Sequence, residues 1–336
     1  MAGKEVFINT ARVDAGKRDI PPGIIHRIPS DLAPITNFKD IRGERLADSE
    51  AIFIHAGDGS TSYTINELLH FINSQETDIS PETIPPFVLL GGGSANTLLK
   101  GLLQTPKIEL PRRYNGILPP NSFEVRAYRP PQLTDEEGIQ YLAYLATFGH
   151  LSNKTTEVKE KLATRWPKLT ADQIRLAYVA AGISSLISLH NRVEPREVSF
   201  TQGGKQEYLE GNIAASPVIS VPILGTFSFN KPIKPDTVRL LALTSENELE
   251  LHGKYGLVLL IGGLFPSGPD MLTKWGILES HDASAVNVVP NDEVYFNSVI
   301  DGNLSHVSGK TQISRSPYIL HFIIPNEVSQ QYAPKK

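Results

Sequence analysis

Two short glycine turns offer the most chemistry in this chain. His55 leads through Ala56 into Gly57-Asp58-Gly59-Ser60, and Leu90 leads into Gly91-Gly92-Gly93-Ser94. Consecutive glycines let backbone N–H groups approach a phosphate closely, and a helix that follows adds the positive end of its dipole. The turn from Gly91 to Ser94 is the stronger candidate, because three glycines stand in a row there. Neither turn carries the Lys-Ser/Thr pair of a P-loop, and the GxGxxG spacing is absent. A tight turn before a packed helix would use the same residues with no ligand at all.

Other groupings are thinner. Asp58, Ser60 and His70 can be assembled into a hydrolytic triad on paper, and His281-Asp282 into half of an acid/base pair, yet no serine sits in a G-x-S-x-G elbow. The nine histidines include no pair at i, i+4 spacing, and there is no cysteine, so no zinc site, thiol nucleophile or disulfide framework is indicated. Asp135, Glu136 and Glu137 read as acids opposing the dipole of a helix N-terminus. No cofactor and no metal are expected.

Charge is distributed unevenly. Residues 100 to 196 carry a formal +5, whereas the rest of the chain carries −9 within the total of −4. Within the basic stretch, Arg112, Arg113, Tyr114, Arg126, Tyr128 and Arg129 interleave guanidinium groups with aromatic rings. Lys154, Lys161, Arg165, Lys168 and Arg175 follow. A groove that tracks a phosphate backbone needs cations to displace condensed counterions and flat rings to stack bases. These eleven residues are the expected nucleic-acid contacts, although lysines on a solvated helix face would look alike.

The elements that must position these groups follow from periodicity. Residues 1 to 50 hold prolines and scattered charges and read as an extended arm. Ile52, Phe53 and Ile54 form a short apolar run before the first glycine turn, and Ile65, Leu68, Leu69 and Ile72 then recur at helical spacing. Phe87 to Leu90 repeats the apolar run before the second turn, ahead of an apolar segment from Ala95 to Leu103. The proline-rich stretch from 105 to 133 reads as irregular, with a short strand at Ser122 to Tyr128. Thr134 with Glu137 and Thr170 with Gln173 match capping boxes, so three helices are expected at 134–148, from Asn153 or Thr155 to Trp166, and at 170–190.

Beyond Val193, runs rich in Val, Ile, Leu and Phe at 217–229, 236–244, 255–265, 285–289, 293–300 and 317–324 predict a mostly antiparallel β region. The run from Tyr255 to Phe265, 11 residues with three glycines, is too short to span a bilayer and is expected to be a buried strand. The polar N-terminus lacks the apolar stretch of a secretory signal.

The fold class is therefore α+β, in four parts: an arm at 1–50, a mixed lobe with a basic helical block at 51–193, a β-rich lobe at 194–324 and a tail at 325–336. In general organisation the chain is similar to viral nucleoproteins and coat proteins, with no motif carrying that likeness. The leading expectation is a non-enzymatic, self-assembling protein that packages single-stranded nucleic acid, in the first instance RNA. It would pair with copies of itself through the terminal arms, have no membrane partner, and reside in a virion or in the cytoplasm. Two alternatives stand beside it: a coat or shell protein without nucleic-acid contact, and an enzyme binding a phosphate-containing small molecule at Gly91–Ser94.

Overall fold

The computed structural model describes residues 4–8, 24–27, 49, 51–55, 58–74, 84–89, 97–104, 123–149, 197–224, 227–264, 268–290 and 295–325, with single helical positions at 153, 156–158, 161 and 165. The chain is α+β and β-rich toward its C-terminus, with three six-stranded sheets among the described residues. It divides into two units: Met1–Pro130 with Ser316–Lys336, and Pro131–Arg315.

The first unit is built on strands β1 (Lys4–Ile8), β2 (Ile24–Arg27), β3 (Ala51–His55), β4 (Phe87–Leu89), β5 (Phe123–Tyr128) and the late strand β20 (Leu320–Pro325). Their order is β2-β1-β3-β4-β20-β5. All pairings are parallel except that of β20 with β5. Thus the segment read as an irregular arm contributes two strands to a sheet of its own chain. Ala51, Ile52, Phe53 and Ile54 are all buried. Continuous burial of successive residues means that both faces of β3 are covered, as parallel sheets require.

Helix α1 (Asp58–Asn73) follows β3 and buries Ile65, Leu68, Leu69 and Ile72, the stripe that the 3- and 4-residue spacing predicts. Helix α2 (Thr97–Leu103) follows β4 and is buried along its length. Phe322 of β20 stacks near Phe87 of β4, with ring centroids 5.4 Å apart. Tyr318 donates from its hydroxyl to Asn73 at 3.1 Å, tying the approach to β20 to the end of α1.

The second unit packs two antiparallel sheets face to face. The first contains β6 (Pro131–Asp135), β7 (Gly138–Tyr141), β9 (Glu197–Gln202), β10 (Lys205–Tyr208), β16 (Ala285–Val289) and β19 (Thr311–Arg315). The other contains β8 (Leu145–Phe148), β11 (Asn212–Ile219), β14 (Val238–Ser245), β15 (Glu279–Ala283), β17 (Tyr295–Ile300) and β18 (Asn303–Ser308). One apolar core draws on both, with Leu133, Phe200, Val286 and Ile313 from the first and Phe148, Val218, Leu240 and Val307 from the second. Such interdigitation of two inner faces makes a sandwich. A short hairpin of β12 (Ile223–Leu224) and β13 (Phe227–Ser228) lies beside it in sequence.

Helix α3 (Glu248–Leu264) covers the outer face of β11 and β14, where Leu251 and Tyr255 pack on Ala214, Ala215 and Leu243. Helix α4 (Gly268–Lys274) follows directly and packs against α3.

Two expected elements are corrected. The helix expected at 134–148 is instead the hairpin β6–β7 followed by β8. Asp135 accepts from the N–H groups of Glu137 and Gly138 at 2.9 and 3.1 Å through one oxygen, and from Ser308 N–H at 3.0 Å through the other. The side chain thereby closes a tight turn, and Gly138 takes a φ of 137° that suits glycine alone. Residues 255–264 of the strand expected at 255–265 lie within α3. Its cap is Asn247, whose side-chain oxygen accepts from Leu249 N–H at 2.8 Å, upstream of the apolar run. Of the other two expected helices, the second is helical at the described positions 153, 156–158, 161 and 165, and the third lies outside the described residues.

Candidate functional site

The parallel strands β3 and β4 are neighbours, in register through Ile54 opposite Leu89. Both therefore release the chain at the same, carboxyl-terminal end of the sheet. The first glycine sequence runs from the end of the β3–α1 connection into the first turn of α1, and the second falls within the connection from β4 to α2. Gly91–Ser94 falls outside the described residues, but its flanks are placed. Strand β3 also stands beside the point where the order β2-β1-β3-β4 reverses its winding, and open α/β sheets bind ligands outside the carboxyl ends of strands at such a reversal.

Asp58, the first residue of α1, joins the starts of the two helices. Its carboxylate accepts a hydrogen bond from Thr97 N–H at 2.9 Å, across 39 residues of sequence. The same carboxylate opens α1 and sits at the N-terminus of α2, in reach of the Leu98 N–H and the positive charge of Lys100. Lys100 is itself buried. Burial pushes the Asp58 carboxyl above the usual carboxylate range, and the hydrogen bonds from Thr97 and Leu98 and the Lys100 charge only partly oppose it. A carboxyl whose pKa is raised by burial, close to a glycine-containing turn, is a common property of functional sites.

The residues expected to grip nucleic acid fare differently. Arg112, Arg113, Tyr114, Lys154, Lys168 and Arg175 lie outside the described residues. Arg126 and Tyr128 lie on β5, with Arg129 immediately after it. Arg126 is occupied by Glu124, at 2.9 and 3.3 Å, and donates to the Leu102 carbonyl. The Tyr128 ring is buried edge-on to Phe322, with centroids 6.0 Å apart, so that ring is part of the core. Lys161 and Arg165 are exposed, in the second unit.

In the sequence Asp58 stands out as part of the first glycine turn and of a paper triad, whereas Thr97 and Lys100 carry no local signal. The Ser60 carbonyl accepts from the Thr64 hydroxyl at 2.8 Å. The signal available was the repetition itself: the same order of apolar strand, glycine turn and helix, twice in succession.

No protein-family model matches the chain, and no curated protein does. Solved structures do match. A crystal structure of a candidate diacylglycerol kinase from Bacillus anthracis str. Sterne is similar at a TM-score of 0.56 and 12% identity, over 97% of this chain and 98% of that one. A second structure bearing the same description is similar at a TM-score of 0.54, again at 12% identity and with the same coverage. At this identity the likeness shows a shared fold, extending over both units.

The expectation of a non-enzymatic RNA-packaging nucleoprotein or capsid is overturned by this likeness. Its physical basis, an excess of cations between 100 and 196, is a property of sequence position, whereas Arg126 is spent on Glu124 and Tyr128 on the core. Among the described residues, no helix is long and apolar enough to cross a membrane.

Proposed function

We propose that this chain is a phosphotransferase of the diacylglycerol-kinase type, moving the terminal phosphoryl group of a nucleoside triphosphate to the hydroxyl of a glycerolipid. One observation carries the reading: Asp58 ties together the starts of the two helices that follow β3 and β4, at the carboxyl end of a parallel sheet. Phosphoryl transfer asks little covalent chemistry of a protein and depends on positioning and on electrostatic stabilisation of the phosphates. The N–H groups opening α1 and the glycine-rich connections suit the donor's phosphates. Asp58 acts as the brace that sets their spacing, and the positive charge of Lys100 acts on it. The acceptor class is taken from the description of the neighbouring fold, and the cytoplasm, where nucleotide is abundant, is the compartment that fits.

The test is transfer of label from γ-labelled ATP to dioleoylglycerol in detergent mixed micelles, scored as lipid-extractable phosphate. Wild-type protein gives labelled lipid, and Asp58→Ala, which removes the acceptor of the Thr97 N–H, lowers kcat/KM by on the order of 100-fold. If the wild-type protein neither transfers label nor is stabilised thermally by any nucleotide, the proposal fails.

A further inference from the structure

The first sheet of the second unit has a core face and an outer face. Leu133, Val198, Phe200, Val286, Val288 and Ile313 point into the core, so alternation sends the residues between them outward. Strand register aligns these outward residues in two rows across β10, β9, β16, β19 and β6. Tyr208, Ser199, Asn287, Gln312 and Thr134 make one row, and Gln206, Thr201, Ala285, Ser314 and Gln132 the other. Gln206, Tyr208 and Gln312 are exposed, Tyr208 to 56%. Ile139 of β7, opposite Thr134, extends the first row with another exposed side chain.

None of these residues carries a charge at neutral pH, although the chain as a whole is 20% charged. A face kept merely for solvation ordinarily mixes lysines with glutamates. Charges begin at the rim, and they are of both signs. Glu197 lies one row beyond Ser199, Lys310 just ahead of β19, and Glu136 and Glu137 in the β6–β7 turn, while Lys205 and Glu207 alternate onto the opposite face of β10. The rows are also ordered sideways. Gln206 Nε2 donates to the Ser199 hydroxyl at 3.2 Å and to the Tyr208 hydroxyl at 3.0 Å, and Gln312 Nε2 donates to the Asn287 side-chain carbonyl at 3.1 Å. That leaves the Gln206 and Gln312 carbonyls and the Asn287 N–H groups to bond an outside partner.

This chemistry selects among occupants. A nucleic acid needs cations, a membrane surface needs apolar residues with lysines, and the centre of a protein interface favours aromatics and arginine. These two rows hold one aromatic ring and no cation. A neutral polyol fits them, because amides and hydroxyls both donate and accept, as neighbouring sugar hydroxyls require. The tyrosine ring offers a flat apolar surface to the C–H face of a pyranose. Each row repeats every ~4.8 Å, the strand spacing, which is comparable with the advance of one ring along an extended glucan.

We infer that the outer face of this sheet binds a neutral polysaccharide laid across the strands, with Tyr208 stacking on one ring and Asn287 and Gln312 hydrogen-bonding the hydroxyls of those that follow. The inference does not rest on the phosphotransferase reading, and it shares no residue with the Asp58 site.

The experiment is native gel electrophoresis of the full chain through gels containing amylopectin, laminarin or hydroxyethylcellulose, with polygalacturonate as the charged comparison. The wild type, Tyr208→Ala, Asn287→Ala/Gln312→Ala and Trp275→Ala are compared, the last removing an exposed ring that lies outside the two rows. Circular dichroism follows the fold of each, and light scattering its oligomeric state. At least one neutral polymer is expected to retard the wild type more than polygalacturonate does. Tyr208→Ala and the amide pair are expected to weaken that binding on the order of tenfold, and Trp275→Ala to leave it unchanged. No retardation by any neutral polymer overturns the inference, as does retardation that both face variants retain while folded. A wild-type dimer that Tyr208→Ala converts to monomer, with no polymer effect, overturns it in favour of a second copy of the chain.

Discussion

At the scale of single residues, two carboxylates, the partly buried Asp282 and Asp58, carry opposite consequences. Asp282 on β15 receives Arg239 of β14 through two bonds at 2.7 and 3.1 Å, and Lys231 at 3.1 Å. Burial alone would raise its pKa, but the hydrogen bonds and charges of Arg239 and Lys231 prevail and hold it below the usual carboxylate range. The Arg239 side chain is 3% exposed and also donates to the carbonyls of Lys231 and Pro232, so it cannot turn to solvent cheaply. Asp282→Asn should cost about 3 kcal/mol at neutral pH, read as a lower denaturant midpoint, because it leaves a buried guanidinium without its counter-charge. A depressed pKa stabilises the fold above the unfolded-state value and loses that contribution as pH falls through the folded value. The gap between wild type and variant should therefore close below about pH 4.

Asp58 runs the other way. Its raised pKa means that ionisation costs the folded state, and the contribution present at low pH is lost as pH rises through its folded value. Asp58→Asn keeps an oxygen for the Thr97 N–H and removes the buried charge. The expected outcome is a melting temperature at pH 7 no lower than that of the wild type, with the difference vanishing toward pH 3, together with reduced phosphoryl transfer. A melting temperature that drops at pH 7 would show that the ionised carboxylate is a net stabiliser. The sequence shows both aspartates but not their partners: Thr97 lies 39 residues from Asp58, and Arg239 lies 43 from Asp282.

At the scale of elements, what was legible followed how local the deciding interaction is. The stripe of α1 and the apolar runs of β3, β4, β14, β16 and β20 read directly, because burial imposes a period on them. The segment from 134 to 148 did not. Its Thr-Asp-Glu-Glu opening satisfies a capping-box pattern, yet Asp301, in a distant turn, accepts from the N–H groups of Ala143, Tyr144 and Leu145 at 2.7, 2.8 and 2.9 Å. No window around residue 144 contains that carboxylate. The α3 segment failed for a different reason, since a short apolar run is equally a buried strand or a buried helix.

Gly149, at the end of β8, tests this tertiary control. It has a φ of 121°, and a Cβ there would stand 2.4 Å from the Ala214 carbonyl oxygen of β11. Gly149→Ala should cost at least about 2 kcal/mol in denaturant unfolding, since the strained φ is joined by a backbone overlap. Gly204→Ala is the control: its φ is 80°, but no atom lies within 4 Å of the added methyl, and a cost of about 1 kcal/mol is expected. Equal costs at the two sites would mean that the close approach to Ala214 relaxes.

At the scale of the molecule, the candidate site was half legible. Both glycine turns stood out at once, and the balance of charge then drew attention to the basic stretch instead. Net charge along a sequence says nothing of which cations are already paired in space, as Arg126 and Glu124 show. Strand order bears on it instead, since β3 and β4 lie side by side and parallel. That arrangement emerges only when the strand order is known.

The same topology imposes an order of events during synthesis. Strand β20 lies between β4 and β5, so the sheet carrying the glycine turns is completed only by residues 320–325. Residues 131–315, which form the sandwich, emerge from the ribosome earlier and have all their strands in hand. The first-translated unit is thus the last to close. Until β20 arrives, β4 and β5 must wait with open edges beside a nascent chain, a state open to capture by chaperones or by strands of other chains.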